Sequence, residues 1–249
     1  MKPTILRFDS IDSTNLEAMR QAKAGAAEGL CLVAREQTRG RGRQERTWHS
    51  PIDAGLYFSI LLRPRIEISK WPLISLISAL AVSDALMSAG NLRTDIKWPN
   101  DVCVGEQKLC GVLAETVETK IGPAAIVGIG INLNDHAFPD ELKEAATSVE
   151  AATGSKPDPE KMLAAIIKAF RERYEFLHQP DSVEHTIREW CARSSYAFDR
   201  RVRVSLQDES FCGTTRGLES DGALRVEDDE GNVRVVRAGD VTALRAASH

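Results

Sequence analysis

Residues 95–134 read DIKWPNDVCV (95–104), GEQ (105–107), KLCGVLAETV (108–117), ETKIGP (118–123) and AAIVGIGINLN (124–134). The apolar runs Ile96 to Trp98, Val102 to Val104, Leu109 to Val117 and Ala124 to Leu133 have the length of strands. Their connections, Gly105-Glu106-Gln107 and Glu118 to Pro123, are too tight for a crossover helix, so the strands are antiparallel hairpin neighbours. A parallel doubly wound fold would alternate strand with helix. The stretch therefore predicts an α+β protein whose mixed or antiparallel sheet carries flanking helices.

Outward from that sheet the pattern is helical or strand-like by turns. Asp12-Ser13-Thr14-Asn15-Leu16-Glu17 opens a helix, with Thr14 and Glu17 at capping-box spacing and Gly25 as its stop. Strands are predicted at Leu30 to Ala34 and Gly55 to Leu62, and a helix at Pro72 to Ser88 that ends at Gly90. Trp71 to Val82 is the most apolar segment, yet Ser75, Ser78 and Asp84 interrupt or close it, so it reads as a buried helix too short to span a bilayer. Gly154 to Pro159 breaks the chain before a helix at Glu160 to His178 and another at Val183 to Ala192. Beyond Ser194 short strands and turns such as Ser220-Asp221-Gly222 describe a small β barrel. The expected division is a domain at 1–193 and a second at 194–249.

The chain of 249 residues carries 32 Lys+Arg against 36 Asp+Glu, a net charge of -4, which argues against a general nucleic-acid-binding domain. Five scattered cysteines form no C-x-x-C pair, so neither a disulfide framework nor a cysteine zinc site is expected. With no apolar leader at the N-terminus, the expected location is the cytoplasm, without a membrane partner.

Positive charge is instead local. Gln37-Thr38-Arg39-Gly40-Arg41-Gly42-Arg43-Gln44-Glu45-Arg46-Thr47-Trp48 sets four arginines around two glycines, and guanidinium forks on a backbone that admits close approach suit a small anion. A solvated loop or a nonspecific nucleic-acid contact is the alternative. Lys97, at a strand end braced by Trp98 and Pro99 and followed by Asn100 and Asp101, reads as a held lysine or a surface one. Gly128 and Gly130 inside a strand imply close approach by a ligand or by other backbone. They are not a dinucleotide fingerprint, because the third glycine and the following helix are missing.

Taken in order, Asp12-Ser13-Thr14-Asn15, Gly40-Arg41-Gly42-Arg43 with Arg46 and Trp48, Lys97-Trp98-Pro99-Asn100-Asp101, Lys108 to Glu115 and Gly128-Ile129-Gly130-Ile131-Asn132 resemble the biotin protein ligases. The resemblance covers nearly the whole chain. It implies the fold shared by biotin ligases and class II aminoacyl-tRNA synthetases, followed by an SH3-like domain. It also implies two half-reactions, in which biotin and Mg-ATP give biotinyl-5′-AMP and a lysine of a biotin carboxyl carrier domain then takes the biotinyl group. Lipoate ligation is the near rival on the same fold, and a noncatalytic nucleic-acid-binding module the rival from another class.

By position, the resemblance assigns Ser13, Thr14, Asn15 and Gln37 to the biotin head group, for which neutral donors and acceptors are the right chemistry; helix capping is the plain reading of Ser13 and Thr14. It assigns Gly40, Arg41, Gly42 and Arg43 to the anion loop, with Arg43 catalytic, Arg46 to the adenylate, Trp48 to adenine stacking, and Asn132 to adenine. Lys97 takes the place of the catalytic lysine between carboxylate and α-phosphate, while Gly111 and Gly130 join the binding set. No protein cage for a metal is expected, so Mg2+ comes held mainly by phosphates. Glu45 departs from the family pattern, where glycine is frequent. A chain that starts almost at the first catalytic helix implies the short form without a DNA-binding domain, hence no DNA partner, and oligomeric state stays open between monomer and homodimer.

Overall fold

The computed structural model describes residues 2–136 and 138–244. Its larger sheet has the order β1-β2-β3-β7-β6-β5-β4, built from β1 (Thr4–Ile11), β2 (Leu30–Gln37), β3 (Gly55–Leu62), β4 (Asp95–Lys97), β5 (Asp101–Val104), β6 (Gln107–Val117) and β7 (Ala124–Asn132). Strands β4 to β7 form the antiparallel run that their short connections dictate, and only β1 with β2 is parallel, so the sheet is mixed. The parallel edge strand β1 escapes the sequence pattern because most of its residues are exposed, leaving no alternation to read.

Helices cover both faces. Helix α1 (Thr14–Lys23) seats Ala18 and Ala22 on Leu32, Leu61 and Ile126. On the other face lies α2 (Leu73–Gly90), backed by α4 (Pro159–Phe176) and α5 (Ser182–Ala192), with the single-turn α3 (Val149–Thr153) before them. Helix α2 is apolar nearly all round, as a helix enclosed by sheet and helices must be. Contrary to the sequence reading, the segment from Ile68 to Gly90 does have the length and composition to cross a bilayer, but most of it is buried in the protein core. Gly90 is its last helical residue rather than its stop, which is Asn91, a residue in the left-handed conformation (φ 49°) whose N–H donates to the carbonyls of Leu86 and Met87.

The smaller sheet, β11-β10-β9-β8-β12, is antiparallel throughout and uses β8 (Phe198–Ser205), β9 (Ser210–Leu218), β10 (Leu224–Asp228), β11 (Val233–Val236) and β12 (Asp240–Ala243). Its edge strands β11 and β12 do not pair with each other among the described residues, so the expected barrel is an open one. Its buried Val202, Val204, Leu224 and Val226 join the main core rather than forming a separate one. The indole N–H of Trp98 donates to the carbonyl of Gly222 at 3.0 Å and ties the two sheets together. The last five residues of the expected 194–249 domain lie outside the described residues.

Candidate active site

One cavity opens on the face of β3, β6 and β7 that also receives the start of α1, the 40–48 loop, the 138–146 segment and Asp240 of β12. Its floor is made by alternation. Gly111 on β6 pairs with Gly130 on β7, while Gly128 sits two residues along the same face, opposite Ser59 of β3. The missing side chains are replaced by other protein groups. A Cβ on Gly130 would stand 2.5 Å from Trp48 Nε1, and one on Gly111 would stand 3.0 Å from Trp48 Cζ3. A Cβ on Gly128 would run into the amide of Asn15. The close approach predicted from these glycines is therefore made by Trp48 and Asn15.

At one end the cavity is neutral and polar. Ser13 stands at the N-cap of α1, but its side chain makes no capping bond, and Thr14 and Glu17 form no capping box. Thr14 instead donates from both its backbone N–H (2.8 Å) and its hydroxyl (3.1 Å) to Gln37 Oε1, and Gln37 Nε2 donates to Ser50 Oγ at 2.9 Å. Ser59 Oγ donates to Asn15 Oδ1 at 2.6 Å. Asn15 Nδ2 in turn donates to Glu115 Oε2 at 2.8 Å and to the carbonyl of Leu113 at 3.2 Å. Ser13, Thr14 and Asn15 are buried, and hydrogen bonds to hydroxyls, amides and the Glu115 carboxylate, which stands off the cavity wall, fix the orientation of Thr14 and Asn15.

The other end is cationic. The loop folds back on itself, with Trp48 N–H donating to the Gly40 carbonyl at 2.9 Å and Gly42 N–H to the Arg46 carbonyl at 2.7 Å. Gln44 and Glu45 turn it with φ of 52° and 60°, a left-handed conformation that favours glycine. Arg41 pairs with Glu115 at 3.0 Å. Arg43 donates to the Gly239 carbonyl at 3.2 Å, and burial lowers its pKa from the ordinary guanidinium value. Arg46 pairs with Asp240, so the smaller sheet braces the loop directly.

Lys108, to which the sequence assigns no role, lines this cavity. Its Nζ lies 2.7 Å from Asp101 Oδ1, a contact of charge whose angle falls outside hydrogen-bond geometry, and 5.3 Å from the centre of the Trp48 ring. Its backbone is clamped on both sides, its N–H donating to the Ala145 carbonyl (2.9 Å) and its carbonyl accepting from Thr147 N–H (3.0 Å). Asn132 Nδ2 donates to the Thr147 carbonyl at 3.0 Å and holds that segment in place.

Lys97 is the one charged residue of the predicted set that the structure does not bring to this cavity. It ends β4, the outermost strand on that side, and its Nζ stands 5.7 Å over the ring of Tyr196. Asp101, its cross-strand partner, turns its carboxylate to Lys108 instead. Gly40 also stays off the cavity wall, buried beneath the loop where a Cβ would meet Ser50 Oγ at 2.6 Å. The remaining predicted residues, Ser13, Thr14, Asn15, Gln37, Arg41, Gly42, Arg43, Arg46, Trp48, Gly111, Gly130 and Asn132, all line it. Besides Lys108, sequence reasoning missed Tyr57 and Asp240. Tyr57 sits in an apolar strand and Asp240 arrives from the other sheet, so neither carries a local signal.

The sequence matches the model of the biotin/lipoate A/B protein ligase family over residues 7–132 and that of the biotin protein ligase C-terminal domain over 197–242. It is 36% identical over 236 residues to the bifunctional ligase/repressor BirA of Bacillus spizizenii, a match covering 92% of this chain and 71% of that protein. It is 33% identical to the biotin–[acetyl-CoA-carboxylase] ligase of Paracoccus denitrificans, over 92% of this chain and 96% of that one. Among solved structures, biotin protein ligase from Aquifex aeolicus in complex with biotin and ATP matches with a TM-score of 0.83 at 31% identity, covering 98% of this chain and 99% of that chain.

Proposed function

Because this chain belongs to the biotin/lipoate A/B protein ligase family, we propose that its cavity holds biotin at the neutral end and the triphosphate at the cationic end. The protein is an ATP-dependent biotin ligase. It activates biotin to biotinyl-5′-AMP and transfers the biotinyl group to a lysine of the biotin carboxyl carrier domain of acetyl-CoA carboxylase or a related carboxylase.

In the first half-reaction a carboxylate oxygen of biotin attacks the α-phosphorus, the new O–P bond forms, and the bond to pyrophosphate breaks. Two anions must meet and charge grows on the phosphate oxygens, so fixed cations facing a dry pocket lower the barrier. Lys108 and Arg43 are our assignments for that work. Lys108 supplies a compact charge held by Asp101 and by its clamped backbone, and Arg43 a half-buried fork. Arg41 and Arg46 hold the anion's flanks, and Trp48 offers its ring to adenine from the glycine floor. Ser13, Thr14, Asn15 and Gln37 take the ureido ring, whose N–H and C=O groups match neutral hydroxyls and amides. In the second half-reaction the carrier amine attacks the acyl carbon, loses a proton, and expels AMP.

Among the described residues no three His, Cys, Asp or Glu side chains gather as a metal cage. The two carboxylates lining the cavity, Asp101 and Asp240, are already committed to Lys108 and Arg46. This donor set suits Mg2+ that arrives on the nucleotide's phosphates and neutralises their charge. We place the boundary between catalytic and C-terminal units near 194, and the enzyme in the cytoplasm, a setting that suits five free cysteines.

The observation that carries the residue assignment is Lys108 facing the cavity while Lys97 faces Tyr196. Lys108→Ala lowers the rate of biotin-dependent pyrophosphate exchange by about 10²- to 10³-fold, the scale of losing one preorganised stabiliser, and Lys97→Ala leaves it within about threefold. The opposite ranking would restore Lys97 to the chemistry.

A further inference from the structure

We propose that Glu115 is a positioning residue that couples the biotin end of the cavity to the arginine loop, a role that rests on the biotin ligase reading above. Its carboxylate is shared. Oε2 accepts from Asn15 Nδ2 at 2.8 Å, while Oε1 and Oε2 lie 3.0 and 3.2 Å from a single nitrogen, Nη1, of Arg41. Glu115 stands on β6, locked into the sheet opposite Ile126 of β7, whereas Arg41 is carried by a loop. Only 20% of the Glu115 side chain is exposed, against 40% for Arg41. The partner fixed in the sheet therefore orients the one carried by the loop.

Engagement through Nη1 alone has a chemical consequence. A guanidinium presents five N–H donors, and a carboxylate held at one corner leaves Nη2 and Nε to form the bidentate edge that a carboxylate or phosphate oxygen pair requires. Glu115 thus aims the fork without occupying it. The same carboxylate fixes the Asn15 amide, whose Oδ1 is already taken by Ser59, so one side chain sets both the head-group subsite and the nearest loop cation. Misplacement of such a cation by about 1 Å is enough to cost on the order of 10²-fold in rate.

The two jobs separate by substitution. In Glu115→Gln the amide oxygen still accepts from Asn15, so the biotin KM in pyrophosphate exchange stays within about twofold, while loss of the charge that holds Arg41 lowers kcat by about tenfold, the scale of one charged hydrogen bond. Glu115→Ala loses both contacts and raises the biotin KM about tenfold as well. In an Arg41→Ala background Glu115→Gln causes no additional kcat loss, an outcome that a general structural defect would not give. A wild-type kcat in Glu115→Gln, or multiplicative losses in the double variant, would overturn the proposal. The ligand-free loop gives a readout independent of the reaction. Tryptic cleavage within 39–46 is about two- to fivefold faster in Glu115→Gln, as expected for loss of a partly exposed ion pair, and equal cleavage would also overturn the proposal. Absence of biotin-dependent exchange in the wild type would instead overturn the ligase reading and leave the proteolysis result to judge the Arg41 clamp.

Discussion

Gly130→Ala isolates the glycine floor from everything else in the site. The backbone at Gly130 is ordinary strand, without the positive φ that would strain alanine, so the effect of the added methyl is steric. That methyl would stand 2.5 Å from Trp48 Nε1, 2.6 Å from Cε2 and 3.0 Å from Cζ2, against a normal contact of about 3.5–4.0 Å. The indole must lift from the sheet by roughly 1 Å. Because Trp48 rides on a loop rather than in the core, lifting costs less than the ~1–3 kcal/mol of ordinary overpacking. Replacing a strand glycine by alanine returns about 0.5–1 kcal/mol. Stability by urea titration therefore changes by less than about 1.5 kcal/mol. Function changes more, because the ring that receives adenine is displaced: the KM for ATP in pyrophosphate exchange rises about tenfold, equal to about 1.4 kcal/mol of binding. The biotin KM stays near wild type. Gly128→Ala, whose methyl meets Asn15 rather than Trp48, shows the converse pattern. A Gly130→Ala enzyme with an unchanged ATP KM, or one whose biotin KM alone rises, would refute the assignment of Trp48 to the nucleotide.

Glu45→Gly relieves a left-handed residue in the loop turn and stabilises the protein by up to about 1 kcal/mol, read as a shift in the urea midpoint; a lower midpoint would contradict the turn geometry. Arg173 joins α4 to Asp84 of α2 and Glu189 of α5 with its side chain only 17% exposed, and Arg173→Ala costs about 2 kcal/mol at pH 7. The hydrogen bond from Arg173 holds the Glu189 carboxyl below the usual carboxylate range, so this stabilisation is full above the unfolded pKa near 4.3 and is lost as pH falls through the depressed folded value. The gap in stability between wild type and variant should accordingly narrow below about pH 4; a gap that stays constant through that range would show the charge pairing to be of no consequence.

The sheet was legible because hairpin connections leave few options for four strands, and α4 because Leu163, Ile166, Phe170 and Tyr174 repeat at helical spacing. Strand β1 was not, since an exposed edge has no hydrophobic period. The neutral pocket and arginine loop could be read because their side chains lie close in sequence. Lys108 could not be told from Lys97, as both are strand-end lysines beside Asp101. What separates them is direction: Lys97 turns to Tyr196, and Lys108 turns to the cavity between Asp101 and Trp48. Strand alternation settles direction only once register is known, and the register shift between Val102 and Cys103 in the β5–β6 pair hides it from the sequence. The contributions of Asp240 and Gly239 depend on how the second sheet docks, which no local pattern encodes.

The central claim is that this cavity activates biotin, and the most direct measurement is exchange of labelled pyrophosphate into ATP by the purified chain, with biotin, with lipoate and with neither. Exchange that requires biotin, followed by transfer of one biotinyl group to the lysine of an added carrier domain, is the predicted result. Exchange supported by lipoate and not by biotin would contradict it.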